Sequence, residues 1–276
     1  MVLELLNKEG DSFVNSDLSN EFLIPGKPKY LGDHMRHITN HWNTWGKLDE
    51  LVLAGRTELP FENGFVDAPT YWTDYMMGQH NRAMIGQGKN LVENVDLGGR
   101  EKLLDLGAGT GSYSIAFCQA NPQLKAVLID REEPLEIARR LVDENRLSDR
   151  ITLIEGDMNT VCLAHDYDAV LISGVVLIAE EVVSRRVFHR AYDALRPGGL
   201  IIVQDYMRID HSPKRHFLDT MMDLYVLIAF DSNAVDRKGS EIASWLTDAG
   251  FSNPRQIPLP THLALIIAEK TSCHAA

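Results

Sequence analysis

The chain has 276 residues, with 45% hydrophobic, 24% charged and a formal net charge of −12. That composition belongs to a globular protein with one large domain and room for a small helical appendage. The excess of acid argues against a nucleic-acid partner, because a phosphate backbone demands a basic face.

The opening segment, MVLELLNKEGD, has no charged stretch ahead of a long apolar one, so no secretory leader is read there. From His34 to Ala54, Met35, Ile38, Trp42, Trp45, Leu48 and Val52 recur at steps of three or four, which predicts a helix. Asp67-Ala68-Pro69 opens a second helix, since proline suits a first turn, and its pattern continues to about Leu91. Both helices carry a broad apolar face and need a partner surface. That excess points to a homodimer built from the N-terminal helices.

From Lys102 onward, strands and helices alternate. Strands are expected at Lys102–Leu106, Ala126–Ile129, Ile151–Ile154, Ala169–Ile172 and Leu200–Val203. Helices are expected at Ser112–Ala120, Pro134–Asn145 and Glu180–Leu195, the last ended by Pro197-Gly198-Gly199. Continuous apolar strands between amphipathic helices indicate a parallel sheet covered on both faces. A helix ending at Ala249-Gly250-Phe251 and a strand from His262 to Ala268 close the pattern, the short connection suggesting an antiparallel strand. No apolar run approaches the ~20 residues that cross a bilayer, so no membrane partner is expected. Cys118, Cys162 and Cys273 lie far apart with no C-x-x-C pair. They suggest neither a zinc site nor a disulfide framework, and fit reduced thiols in a cytoplasm.

The segment LLDLGAGTGSYS carries the most information. Gly107, Gly109 and Gly111 directly follow a strand and precede a helix, where glycines allow a sharp turn and close approach of a ligand. The spacing G-x-G-x-G differs from the dinucleotide fingerprint, and no lysine follows as in a phosphate-binding P-loop. Asp105 sits two residues before the first glycine, Asp130 ends the next strand and Asp157 follows the third. Three acids thus fall at the carboxyl ends of three successive strands, where open α/β sheets bind ligands.

DLGAGTG, LID at 128–130, GDM at 156–158 and LRPGG at 195–199 resemble the successive motifs of class I S-adenosylmethionine-dependent methyltransferases. More narrowly, SNEFLIPGKPKYLG and GSEIASWLTDAGF make the chain similar to small-molecule O-methyltransferases of the caffeic-acid and antibiotic-tailoring kind, from about Ser19 to Lys270. The resemblance implies a Rossmann-like, mostly parallel seven-stranded sheet over residues 96–276. A helical dimerisation and substrate-lid region would occupy 1–95. It implies S-adenosyl-L-methionine as cofactor, with the glycine loop against its methionine part and Asp105 among the cofactor-binding residues. Asp130 would hold the ribose hydroxyls, Asp157 and Met158 would border the adenine, and Ser173 would complete the cofactor set. Relatives begin with a longer winged-helix dimerisation domain, of which residues 1 to about 20 resemble only the tail.

The chain departs from the family at one decisive place. O-methylating relatives carry a catalytic histidine after the fourth strand, and the matching position here is Leu177. Two acids that flank that histidine persist in kind as Asp205 and Asp236. His80, near Met76 and Met77 on the second helix, is the candidate substitute base in a substrate pocket of Met76, Met77, His80 and Leu177. His34, His37 and His41 recur at helical spacing without an acid or cysteine beside them, so a solvated or interface face is expected and no metal site. Losing a general base typically costs ~10²–10⁴ in rate. The leading reading is therefore methyl transfer to a small, easily ionised acceptor: a phenol, a thiol or an activated carbon. A non-methylating enzyme that keeps the cofactor, by decarboxylation or rearrangement, and a non-catalytic binding or assembly protein are the alternatives.

Overall fold

The computed structural model describes residues 3–209, 217–230, 237–260 and 263–271. Seven strands form the central sheet: β3 (Lys102–Leu106), β4 (Lys125–Asp130), β5 (Ile151–Glu155), β6 (Tyr167–Ser173), β7 (Leu195–Asp205), β10 (Ser252–Pro258) and β11 (Ala264–Glu269). Their order is β10-β11-β7-β6-β3-β4-β5. The five from β5 to β7 run parallel, and β11 is antiparallel to both β7 and β10. Two short pairs stand outside the sheet: β1 (Leu6–Glu9) with β2 (Ser12–Asn15), and β8 (Met207–Arg208) with β9 (Arg237–Lys238).

Hydrophobic layers cover both faces. On one, α9 (Glu181–Ala194) and α11 (Gly239–Asp248) bring Val187, Phe188, Ile242 and Trp245 against Val170, Ile201 and Ile266. On the other, α6 (Gly88–Asn94), α7 (Ser112–Ala120) and α8 (Glu132–Glu144) bring Leu91, Phe117 and Leu141 against Leu103, Leu128 and Ile202. The first six residues of β6 are all buried, which is why its sequence is apolar throughout rather than alternating. After β5 the chain returns to the opposite side of β3 to form β6, so strand order reverses at the β3–β6 pair. Ligands of such sheets bind outside the strand ends at that reversal.

The N-terminal helices differ from the sequence expectation. The single helix expected over His34–Ala54 is three: α2 (Gly32–Asn40), α3 (Trp42–Trp45) and α4 (Leu48–Ala54), after the short α1 (Asp17–Phe22). His41 and Lys47 leave the helical region, at φ −86°, ψ 9° and φ −113°, ψ 19°, and break the ladder. Met35, Ile38, Trp42 and Val52 are exposed, Trp42 at 74%, while His37, Asn40, His41, Thr44 and Leu51 are buried.

Of the histidines expected on a solvated or interface face, His37 and His41 turn inward. His37 packs against Tyr71, Tyr75 and Tyr225, and His41 against Tyr71 and Tyr225. Polar groups anchor α2 to α5 (Ala68–Arg82): Asp74 accepts from Arg36 Nε and Asn40 Nδ2, both at 3.0 Å, and Asn81 bonds the backbone and side chain of Asp33. α5 starts as expected, with Asp67 capping the Thr70 N–H at 2.9 Å and Pro69 in the first turn. It does not continue straight to Leu91, because Gly86 at φ 144° kinks the chain ahead of α6. The strands β1, β2 and β10 and the helix α10 (Phe217–Ala229) were not legible, and β7 begins five residues before the expected Leu200.

Candidate active site

A cavity of about 1000 Å³ lies at the carboxyl ends of β3 to β7. One wall is the glycine loop. Gly107, Gly109 and Gly111 have φ of 74°, 55° and 68°, a region that L side chains rarely adopt. A Cβ on Gly111 would stand 2.5 Å from Leu128 Cδ2, so this glycine is a packing requirement. A Cβ on Gly109 would meet only Met76 Sδ at 3.9 Å, so this backbone faces open cavity.

The acids brace the loop. Asp130 Oδ2 accepts the Gly109 N–H at 2.7 Å, and Oδ1 accepts the Arg131 N–H at 2.8 Å. Burial raises the Asp130 carboxyl above its ordinary range, and those two N–H groups oppose it. Asp105 is 2% exposed and accepts from Ser114 Oγ at 2.6 Å, which ties β3 to α7. Burial pushes its carboxyl up to about 7. Asp157 is exposed, and Asn159 holds it below the usual range with its backbone and side-chain N–H groups, each at 2.8 Å. Met158 and Ser173 also line the cavity, Ser173 accepting from Gln204 Nε2 at 3.0 Å.

The facing wall is aromatic. α5 contributes Trp72, Tyr75, Gln79 and Arg82 at steps of three or four, and α10 contributes Met222, Tyr225 and Val226. Tyr113, Tyr206 and Phe230 complete it. Burial raises the Tyr75 and Tyr113 phenols to about 12, so both stay protonated. Tyr225 Oη shares a 2.5 Å hydrogen bond with His37 Nε2, and burial keeps His37 neutral by lowering it to about 3.

Leu177 sits in the loop after β6, lines the cavity, and packs on Val226. Its N–H donates to Asp205 Oδ2 at 3.1 Å, while Asp205 Oδ1 accepts from the Tyr206 N–H at 2.9 Å. Asp205 is 1% exposed, and burial pushes it up to about 7. One carboxylate oxygen thus holds the backbone that presents Leu177, and the other holds the turn at Tyr206.

Of the expected substrate-pocket residues, Met76 and Leu177 reach the cavity; Met77 and His80 do not line it. His80 is about 100° further round α5 than Gln79. Its Nδ1 pairs with Ser112 Oγ at 2.8 Å, and burial holds its ring below the usual histidine range. Met77 Sδ instead meets Arg140. Asp236 lies outside the described residues. Arg82, Tyr75, Tyr206 and Tyr225 line the cavity without having been expected there; for Tyr75 the 72-75-79 spacing on one helix was a readable signal.

A sequence profile of the O-methyltransferase domain matches residues 30–252. The chain belongs to the O-methyltransferase family. It is a methyltransferase that uses S-adenosylmethionine on a small molecule. Over 265 residues this family member is 24% identical to a 3-hydroxy-5-methyl-1-naphthoate 3-O-methyltransferase of Streptomyces sahachiroi, covering 92% of this chain and 74% of that one. Over 196 residues it is 35% identical to an L-tyrosine C(3)-methyltransferase of Streptomyces lavendulae, covering 66% of this chain and half of that one. Human N-acetylserotonin methyltransferase in complex with its cofactor shares the fold, with a TM-score of 0.85 at 20% identity over 98% of this chain and 80% of that one.

Proposed function

We propose that the protein methylates an aromatic acceptor that ionises easily (a phenol, a thiol or an activated ring carbon), without a side-chain base at position 177. The observation that carries this is Leu177, a buried aliphatic residue on the cavity wall. Around it stand phenols held protonated and a carboxyl already engaged by backbone N–H groups. None of these is a ready proton acceptor for a neutral alcohol. The names of the two bacterial relatives, a hydroxynaphthoate O-methyltransferase and a tyrosine C-methyltransferase, support an aromatic acceptor.

The residues present fit the cofactor. Bare backbone at Gly109 faces the cavity, and Asp130 ends β4 beside it. Gly107, Gly109, Gly111, Asp105 and Ser173 would border its methionine part, Asp130 its ribose, and Asp157 and Met158 its adenine. When bound, the cofactor supplies an electrophilic methyl group on a sulfonium. The protein's part is to seat the acceptor ring between α5 and α10 and to exclude water with Leu177, Val226 and Phe230. Orienting the acceptor can alone supply roughly 7–11 kcal/mol of the barrier.

Leu177→His tests the reading. With unsubstituted phenol at pH 8 the variant should gain about tenfold or more in kcat/KM. With 4-nitrophenol, already ionised, it should gain nothing. Equal changes for both phenols would contradict the proposal.

The exposed Met35, Ile38, Trp42 and Val52 support a homodimer through the N-terminal helices. The free Cys118 and Cys162 support a reducing cytoplasmic setting.

A further inference from the structure

Arg82 has no part in the reading above, yet it occupies the acceptor side of the cavity. It ends α5, one turn beyond Gln79 and two beyond Tyr75, and lines the cavity with them. Its guanidinium carbon lies over the Tyr206 ring, 5.4 Å from the centroid. Its Nε is shut from solvent and meets no hydrogen-bond acceptor. Among the described residues, no carboxylate or carbonyl takes a hydrogen bond or ion pair from this guanidinium. Phenols surround it: Tyr75, Tyr113, Tyr206 and Tyr225. Asp205 feels its charge, but the Asp205 oxygens are committed to the N–H groups of Leu177 and Tyr206.

A guanidinium stays charged at every accessible pH. With its Nε shut from water and the residue half-buried, this charge is only partly solvated, and one aromatic face offsets only part of the cost. A ligand that brings its own negative charge to this wall removes the imbalance. The planar N–H fork suits a group with two coplanar oxygens better than a single one.

We propose that Arg82 is the subsite for a carboxylate carried on the aromatic acceptor. The proposal rests on the cavity being the acceptor site. In it, Arg82 clamps the carboxylate, the aromatic wall holds the ring, and the reacting atom is set by their separation. Acceptor acids would then be preferred over their neutral amides, and Arg82 would be a specificity-determining residue of the reaction.

The test uses the full chain, titrated calorimetrically with 1-naphthoate and with 1-naphthamide. Each titration is run with and without S-adenosylhomocysteine. Wild type should bind the naphthoate about 10- to 100-fold more tightly than the amide. Arg82→Gln should abolish that difference by weakening the naphthoate alone, and Arg82→Lys should keep part of it. Equal affinity of wild type for the two probes would overturn the proposal, and so would an equal loss of both in Arg82→Gln. Should Arg82→Gln not fold, the wild-type preference and its partial retention in Arg82→Lys decide the matter. Failure of S-adenosylhomocysteine to bind would sink the methyl-transfer reading, while the naphthoate–naphthamide difference would still judge Arg82.

Discussion

Asp130 bears on the cofactor site most sharply. Its two oxygens accept the Gly109 and Arg131 N–H groups at 2.7 and 2.8 Å, and the same carboxylate is assigned to the ribose hydroxyls. In Asp130→Asn one oxygen becomes an NH₂ that cannot accept, so one backbone N–H faces another donor and the negative charge is lost. A hydrogen bond to a charged group contributes ~1.5–3 kcal/mol, and ~1.4 kcal/mol is a factor of ten in affinity. Affinity for S-adenosylhomocysteine should fall roughly 10- to 150-fold in Asp130→Asn, and at least as far in Asp130→Ala. The loss of loop bracing should appear separately as a lower Tm, by about 2–4 °C for each kcal/mol. Calorimetric titration of the three proteins, beside their thermal unfolding, gives both numbers. Affinities within twofold of wild type would refute the ribose assignment. A lower Tm with unchanged affinity would leave Asp130 as a brace of the loop alone.

Two further outcomes follow from the geometry. Gly111→Ala should lower Tm by roughly 5 °C or more: left-handed backbone costs ~1–2 kcal/mol, and overpacking against Leu128 typically ~1–3 more. An unchanged Tm would contradict the packing role given to this glycine. Burial lowers His34 and His41 to about 4 and His37 to about 3 from an ordinary 6.5, so the unfolded chain takes up protons that the native state refuses. Their contribution to stability is whole above pH 6.5 and is lost as pH falls toward 4. Asp105 and Asp205, raised from 3.8 to about 7, carry the opposite sign over pH 4–7, since the native state holds protons there that the unfolded chain has shed. On acidification from pH 7 to 5, amide exchange corrected for its intrinsic rate should quicken in residues 34–45 relative to 103–114. Equal change in both segments would contradict the opposing signs.

The sheet and the glycine loop were legible because one local rule dominates there. β3, β4 and β6 are buried on both faces and read as apolar runs, and the glycine loop follows from a turn that only glycine makes cheaply. The helical appendage misled because its inner face is polar. Asn40 reaches Asp74, Thr44 Oγ1 donates to the Glu58 carbonyl and His37 meets Tyr225, while Met35 and Trp42 point outward. Hydropathy periodicity does not report that polar inner face, since it cannot see hydrogen bonds made across 14 to 188 residues. β10, SNPRQIP, is a polar edge strand with a register shift between Ser252 and Arg255. α10, FLDTMMDLYVLIA, is apolar nearly all round, so its helical period was hidden. Leu177 was singled out by the resemblance to O-methylating relatives, and it lines the cavity. The inward aim of Arg82 was not, because charges on helices ordinarily face solvent.

Base-free transfer is tested most directly by the pH dependence of labelled methyl transfer to ring-substituted phenols of graded acidity. Substrates should differ in midpoint, each tracking the ionisation of its own hydroxyl, because Leu177 accepts no proton and the Asp205 oxygens beside it are held by backbone N–H groups. One midpoint shared by every phenol would contradict this. If that midpoint stood near 7, it would assign the proton to Asp205, the buried carboxyl raised to that value.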